Sequence, residues 1–497
     1  MARCLRGDTA WPAVCGRAAQ AELAPSPGQS RRPACRGQRG GDPGREGCQP
    51  RVQRQTWALP SAGGPGAGVS DPAGAGRLSC KLPPSPRLEG KAWKSFRPQM
   101  WYLFKVISFI LNLGTTSGAF QYRRSANPEA NMNISQIISY WGYPDEEYDI
   151  VTEDGYILGL YRIPYGKTKK DNSSAQKLVV YLQHGLLTSA SSWISNLPNN
   201  SLGFILADAG YDVWMGNSRG TTWSRKHLYL KTNSKEFWAF SFDEMAKYDL
   251  PASIDFIVKQ TGQKEIFYVG HSQGTTIGFI TFSTIPKIAK RIKIFFALAP
   301  VFSIKYIKSP LIKMAYKWKS VIKVFLGNKD FLPDTSFKRI VGSKLCPLKI
   351  FGKICHDILF MMCGYDLKNL NMSRMDIYMS HNPAGTSVQN ILHWTQLFNS
   401  SYLRAFDWGS PVLNLVHFNQ TTAPLYNVTS MNVSTATWSG GGDLLADPED
   451  VGILLSEIRN HIYHKTISYY NHVDFLFGLD AYHQVYREII DIIQGNL

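Results

Sequence analysis

The sequence predicts an α/β fold in which helices cover both faces of a mostly parallel central sheet. Short apolar runs typical of buried strands alternate with segments of helical periodicity over about residues 148–300. The strand pattern resumes from residue 435, after a long segment that is mostly helical in character. A helical insertion between two sheet strands explains this order, because the chain returns afterwards to complete the first unit.

The predicted elements follow one another in a regular order. Two alternating strands form a hairpin around Glu153-Asp154-Gly155. The remaining predicted strands span 178–182, 212–215, 266–269, 294–298, 435–438 and 465–469, and the predicted helices span 202–209, 243–259 and 275–283.

Residues 1–99 differ in composition from the rest of the chain. They contain 15 Gly, 13 Pro and 16 Lys or Arg against 6 Asp or Glu, and no periodic apolar segment. Such a stretch cannot bury enough apolar surface to offset its conformational entropy. We expect a disordered extension that derives from an upstream, non-native reading of the gene. The alternative is a genuine basic extension that keeps the protein inside the cell.

Met100 opens a segment with the pattern of a secretory signal peptide. An apolar stretch at 106–113 is followed by small and polar residues up to 119. The stretch is too short for a transmembrane helix, which needs about 20 residues. We therefore expect synthesis to start at Met100, a signal peptide at 100–119, and a secreted or lysosomal protein without a transmembrane span.

The net charge excludes one class of partner. Of the formal +17, residues 1–99 supply +10 and residues 100–497 carry +7. No basic stripe with interleaved aromatic residues appears, so we expect no nucleic-acid binding. A mildly basic surface can attract anionic lipid, although an ordinary soluble surface is the simpler interpretation.

Cysteine and asparagine patterns agree with secretion. Cys346, Cys355 and Cys363 can form one disulfide and one free thiol, or bind a metal. Histidine pairs at ligand spacing are missing nearby, so we expect no metal site. Candidate N-glycosylation sequons occur at Asn133, Asn172, Asn199, Asn371, Asn399, Asn419, Asn427 and Asn432.

The pentapeptide Gly270-His271-Ser272-Gln273-Gly274 predicts a nucleophile. A G-x-S-x-G motif is common by chance and is weak by itself. Here a β-rich apolar run precedes it and a helical pattern follows it, which is the strand-turn-helix that a nucleophile elbow requires. We therefore predict Ser272 as the nucleophile.

A serine nucleophile needs a base and an acid, which should follow in the order Ser, Asp, His at strand ends. His472 comes just after the strand predicted at 465–469, whereas His461 and His464 precede that strand. Asp443 follows the 435–438 strand across a glycine turn. Asp447 and Asp450 lie further on, beside Pro448, where capping of a helix explains them.

The oxyanion formed during attack needs two amide donors. Gln273 supplies one as the residue after the nucleophile. Leu186 supplies the other, because its loop follows the early strand at 178–182. An ordinary turn at His184-Gly185 is the structural alternative.

These residues and three longer runs, at 133–144, 195–202 and 380–390, resemble the acid lipase family of gastric and lysosomal lipases over about residues 100–497. The resemblance implies an α/β-hydrolase fold, with core segments 120–300 and 428–497 and a helical cap at 301–427 whose lid lies near 334–363. It also implies the triad Ser272, Asp443 and His472, the Leu186 and Gln273 amides, a Cys346–Cys355 disulfide with Cys363 free, and no cofactor.

The predicted function is hydrolysis of triacylglycerol or cholesteryl esters by a monomeric serine lipase at a lipid–water interface. An esterase of the same fold and a catalytically weak lipid-binding secreted protein are the alternatives. Two positions depart from the family: Thr221 and Ser439 each replace its usual Asn. The Ser439 change and the glycine run beside it leave open whether Asp443 is held less firmly.

Overall fold

The computed structural model describes residues 127–167, 176–335, 341–342, 346, 355, 357, 359–366, 368–398 and 400–496. The predicted extension, the signal peptide and most of the predicted lid lie outside these residues.

A nine-stranded sheet organises the described part of the chain. Its strands are β1 (Glu146–Val151), β2 (Tyr156–Ile163), β3 (Val179–Gln183), β4 (Asp212–Gly216), β5 (Lys226–His227), β6 (Ile266–His271), β7 (Ile292–Leu298), β10 (Thr435–Gly440) and β11 (His461–Ile467). A separate pair consists of β8 (Asp330–Phe331) and β9 (Thr386–Ser387).

The sheet is mostly parallel, as the sequence predicts. Its order is β1-β2-β4-β3-β6-β7-β10-β11, with β5 beside β2. The antiparallel pairs all involve β2, while β4, β3, β6, β7, β10 and β11 run parallel. Every residue of β3, β4 and β6 is buried, which follows from helices on both faces.

Helices connect and cover the strands. They are α1 (Ile134–Tyr140), α2 (Leu202–Asp208), α3 (Phe242–Glu244), α4 (Leu250–Thr261), α5 (Gln273–Thr284), α6 (Pro286–Ala289), α7 (Pro310–Lys317), α8 (Lys319–Leu326), α9 (Met375–His381), α10 (Val388–Gln396), α11 (Pro411–Phe418), α12 (Pro448–Glu457), α13 (Asp474–Phe477) and α14 (Arg487–Gln494).

Two predicted elements differ from the structure. The helix predicted at 243–259 is interrupted by a π-helical turn, Met245–Asp249, before α4 begins. Pro251 in the first turn of α4 has no N–H to donate to a preceding carbonyl, so the regular α-helical hydrogen bonding cannot continue through it.

The last strand begins at His461 instead of Lys465, so His461 and His464 lie within β11 and do not precede it.

The insertion lies between β7 and β10, which pair with each other in the sheet. It carries α7 to α11 and the small β8–β9 pair. No helix in the described part of the chain is long and apolar enough to cross a bilayer.

A buried ion pair joins this insertion to the start of the described chain. The Arg374 guanidinium contacts the Glu129 carboxylate at 2.6 and 3.0 Å and donates to the Ser195 carbonyl at 2.7 Å. Both charged side chains are almost fully buried. Removal of one partner would leave an uncompensated buried charge, so the pair fixes the two segments against each other.

A second junction is built on Asp243. Its carboxylate accepts from the Phe406 amide at 2.8 Å and from the Tyr426 hydroxyl at 2.7 Å, both in the insertion. The buried, neutral ring of His393 stacks on Phe242 and brings its Nδ1 to 3.9 Å from Asp243. Burial raises the pKa of Asp243 to about 7.

Asp243→Asn should weaken the pH dependence of stability. The raised pKa means that the folded state binds a proton that the unfolded state has lost, so wild-type stability falls as pH rises from about 4 to about 7. The asparagine variant lacks this contribution. Thermal unfolding at pH 5 and pH 7 measures it, with Asp255→Asn, a half-exposed surface carboxylate, as control. Equal pH dependence in wild type and Asp243→Asn would contradict the prediction.

Candidate active site

Ser272 lies in a strained turn at the carboxyl end of β6. Its φ of 53° and ψ of −123° are unfavourable for a residue with a side chain. A Cβ on Gly274 would overlap the Gln183 carbonyl, and a Cβ on Gly270 would lie 2.9 Å from the Gly274 carbonyl. The two glycines therefore permit the turn. The Ser272 amide donates to the Leu298 carbonyl of β7 at 3.1 Å, and α5 begins directly afterwards.

Asp443 follows β10 and is buried. Its Oδ1 accepts from the amides of Leu445 and Ala446, each at 2.8 Å. Its Oδ2 lies 2.8 Å from Nδ1 of His472. The carboxylate thus uses one oxygen to fix its own loop and presents the other to the imidazole.

The glycine turn before Asp443 is tied to the loop that carries His472. Gly441 donates to the Ile467 carbonyl and Gly442 to the Tyr470 carbonyl, both at 2.9 Å. Ser439 bonds to the Thr466 hydroxyl at 3.0 Å. These contacts give the turn several points of attachment to β11 and the chain after it.

The loop of His472 is fixed by its neighbours. Asn471 Oδ1 accepts from the amides of Val473 and Asp474, at 2.9 and 3.2 Å. The Asn471 amide in turn donates to Oδ2 of Asp474 at 2.6 Å. Burial raises the pKa of Asp474 to about 8, which favours the neutral carboxyl beside the imidazole.

One main-chain carbonyl binds both loops. The carbonyl of Cys363 accepts from the His472 amide at 3.1 Å and from the Leu444 amide at 3.4 Å. The side chain of Asn471 donates to the next carbonyl, that of Gly364, at 3.1 Å. The segment 359–366 of the insertion therefore holds the acid and base loops together, which sequence patterns did not indicate.

His271 joins the serine turn to the base loop. Its Nε2–H donates to the His472 carbonyl at 2.8 Å, and the two rings lie 5.0 Å apart. Complete burial lowers the pKa of His271 to about 3, so the ring stays neutral. The structure thus brings Ser272, Asp443 and His472 to one edge of the sheet, at the carboxyl ends of β6, β10 and β11.

The loop after β3 approaches Ser272 closely. A Cβ on Gly185 would lie 2.7 Å from Cβ of Ser272, so only glycine lets this loop pass the serine. His184 accepts from the Ser218 amide through Nε2 at 3.0 Å and donates through Nδ1 to the Gly185 carbonyl at 2.8 Å. Burial lowers the pKa of His184 to about 4 and keeps it neutral. Leu186 directly follows Gly185 in this loop.

Gln273 is held from the insertion. Its side-chain carbonyl oxygen accepts from Nε1 of Trp394 at 2.7 Å and from Nδ2 of Asn390 at 3.0 Å, both on α10. Asn390 also accepts from the Phe242 amide at 3.0 Å. Because Gln273 is the first residue of α5, its own N–H has no partner within that helix.

The competing carboxylates and histidines have other partners. Asp447 caps α12 through the Glu449 amide, and Asp450 accepts from Ser303 and the Tyr306 amide. Asp447 therefore has the predicted capping role, whereas Asp450 lies in the first turn of α12 but binds the start of the insertion and does not cap the helix. His461 and His464 both bond to the Thr437 hydroxyl across β10 and β11, at 2.9 and 2.8 Å.

The remaining predicted modification sites are placed as follows. Cys346 and Cys355 form a disulfide, and Cys363 is a buried free thiol. Asn172 and Asn399 lie outside the described residues. Of the other sequons, the exposed ones are Asn199, Asn419, Asn427 and Asn432, and the half-buried ones are Asn133 and Asn371. Asn133 caps α1 through its side-chain oxygen, which leaves its amide nitrogen unused by the cap.

Two family models match the chain. The model of the alpha/beta hydrolase fold matches residues 179–479, and that of a partial alpha/beta-hydrolase lipase region matches residues 134–197. Together they include Ser272, Asp443, His472 and the loop of Leu186.

Curated relatives match over most of the chain. Human lipase member J is 82% identical over 74% of this chain and 100% of its own length. Human gastric triacylglycerol lipase is 59% identical over 80% of this chain and 100% of its own length. Lysosomal acid lipase/cholesteryl ester hydrolase of Macaca fascicularis is 56% identical over 74% of this chain and 92% of its own length.

The matches agree with the fold and with the arrangement of side chains at the sheet edge. The chain therefore belongs to the lipase family of the α/β hydrolases, and it is a carboxylic ester hydrolase.

Proposed function

We propose that this enzyme hydrolyses the ester bonds of neutral lipids, triacylglycerol or cholesteryl ester, through an acyl-Ser272 intermediate. The observation that carries the proposal is the 2.8 Å bond between Asp443 and His472 beside the strained turn of Ser272. The names of the gastric and lysosomal relatives support the substrate class. They also support entry into the secretory or lysosomal pathway. The enzyme is further proposed to act as a monomer at a lipid–water interface.

In the proposed first step, Ser272 Oγ attacks the ester carbonyl carbon and its proton passes to Nε2 of His472. Asp443 keeps the proton of the imidazole on Nδ1, so that Nε2 is free to accept. The imidazolium then protonates the departing alcohol. In the second step His472 takes a proton from water and the hydroxide attacks the acyl carbon. The imidazolium then returns the proton to Oγ of Ser272 as the bond to the acyl carbon breaks and the fatty acid leaves.

The negative oxygen of each tetrahedral intermediate is assigned to the amides of Leu186 and Gln273. A donor that is held in place before the reaction stabilises charge without reorganisation, and loss of one such donor costs about 10²- to 10³-fold in kcat. The contacts of His184 with the Leu186 loop and of α10 with Gln273 support this preorganisation. The proposed domain limits remain those of the resemblance: cores 120–300 and 428–497, cap 301–427, and lid near 334–363.

Ser272→Ala should reduce fatty-acid release from emulsified triolein by about 10⁴-fold or more, because no other group supplies the nucleophile. Ser283→Ala, on the same helix, is the matched control and should retain wild-type activity. A fluorophosphonate probe should label the wild type and Ser283→Ala but not Ser272→Ala. Undiminished hydrolysis by folded Ser272→Ala would overturn the mechanism.

Two further outcomes separate the alternatives. Efficient hydrolysis of short soluble esters with no enhancement on emulsions would indicate an esterase. Absence of probe labelling on folded wild-type protein would indicate a lipid-binding protein that retains the triad.

Trp394→Phe should lower kcat by about tenfold with little change in KM. The substitution removes one hydrogen bond to the Gln273 side chain and preserves an aromatic ring, so the adjacent donor amide is held less firmly. A soluble ester serves as substrate, because it avoids binding to an interface. Trp408→Phe is the control, since that ring stacks on His417 instead. A rise in KM at constant kcat, or equal effects of the two variants, would contradict the positioning role.

A further inference from the structure

The positive charge of the chain beyond residue 99 is concentrated in one short segment. Residues 301–329 contain seven lysines and no Asp, Glu or Arg. Residues 100–497 carry a formal charge of +7, so the rest of that region is neutral by formal count. Averaged over residues 100–497, a charge of +7 favours an ordinary soluble surface. The average does not reveal that this charge lies in one segment.

Most of this charge lies on the helices α7 and α8, which we call the basic helix pair. Lys313, Lys317, Lys319 and Lys323 are all exposed. Lys319 rests over the ring of Tyr316. Among the described residues, Lys313, Lys317 and Lys323 have no carboxylate partner, whereas Lys308, before α7, pairs with Asp447 at 2.9 Å.

Apolar side chains of the basic helix pair are exposed as well. Val324 is 79% exposed and Met314 is 54% exposed, and Val321 also faces solvent. An exposed set of lysines mixed with aliphatic side chains is typical of helices that lie on membrane surfaces. The lysines attract anionic headgroups and the aliphatic groups enter the acyl boundary.

The basic helix pair lies one element away from the serine turn. The helix α8 packs against α10, and Tyr316 of α7 stacks on Phe398 just after α10, with ring centroids 4.1 Å apart. The same α10 supplies the two hydrogen bonds to Gln273. A surface bound by these helices would therefore lie on the side of the fold that carries the active site.

We propose that the basic helix pair is a docking surface for anionic lipid, which holds the enzyme at interfaces that contain acidic headgroups. A nucleic acid or another polyanion would use the lysines but not the exposed aliphatic side chains, which is why a lipid surface fits better. This proposal rests on the proposed lipase function, which gives the enzyme a reason to bind lipid surfaces. Its test measures binding to vesicles and does not depend on catalysis.

The test measures binding of the full chain carrying Ser272→Ala, so that no substrate is consumed. Co-sedimentation compares vesicles of phosphatidylcholine with vesicles that also contain phosphatidylserine. The triple variant Lys313→Gln, Lys317→Gln, Lys323→Gln should bind the acidic vesicles about 100-fold more weakly at low salt, or about fivefold for each lysine. The wild-type preference should fall as salt rises.

The matched control removes the same charge from the opposite sheet edge. Lys259, Lys264 and Lys290 are exposed and lie near the amino ends of β6 and β7. Their triple glutamine variant should bind acidic vesicles almost as the parent does. Equal losses in the two triple variants, or no preference of the parent for acidic vesicles, would overturn the proposal.

A further substitution separates lipid from other polyanions. Val324→Asn should weaken binding to acidic vesicles and leave binding to immobilised heparin unchanged. Unchanged vesicle binding in Val324→Asn would assign the surface to polyanions in general and overturn the proposal.

Hydrolysis of a soluble ester by the lysine variants, in chains that keep Ser272, should equal that of the wild type. Absence of fatty-acid release from emulsified triolein by the wild type would instead refute the proposed function and leave the binding result standing.

Discussion

The close approach of three backbones around Ser272 is the constraint on which the rest of the site depends. The strained φ of this residue is maintained only because Gly270 and Gly274 have no Cβ and because β7 receives the Ser272 amide. The loop after β3 also passes close to the serine, because a Cβ on Gly185 would lie 2.7 Å from Cβ of Ser272. A rigid, doubly covered parallel sheet is what keeps these segments in place, since its buried strands cannot shift without loss of packing.

Sequence reasoning recovered the parts of this arrangement that follow from local patterns. The Ser272 turn was predicted because a buried strand and a helix flank it, and Asp443 and His472 were predicted because each follows a strand. The start of β11 is harder to predict from the sequence. It is an edge strand whose residues alternate between exposed and half-buried, so an apolar run marks only its end. The π-helical turn before Pro251 was missed because helical periodicity continues across it.

Contacts between the insertion and the core were invisible in the sequence for a different reason. Asn390 and Trp394 lie more than a hundred residues from Gln273, and nothing in their local pattern marks them as partners of its side chain. His271 and His184 stood within predicted motifs, yet their neutral, buried state depends on three-dimensional burial. The insertion thus supplies contacts that position residues of the core.

The shared carbonyl of Cys363 has a consequence for how this enzyme tolerates change. Because the acceptor belongs to the main chain, any residue whose side chain fits the buried space at this position would preserve both bonds. The link between the acid and base loops is therefore indifferent to chemical identity at position 363 and sensitive only to the path of the backbone. Side chains can diverge at position 363 itself, while an insertion or deletion of one residue in this segment would disturb both loops together.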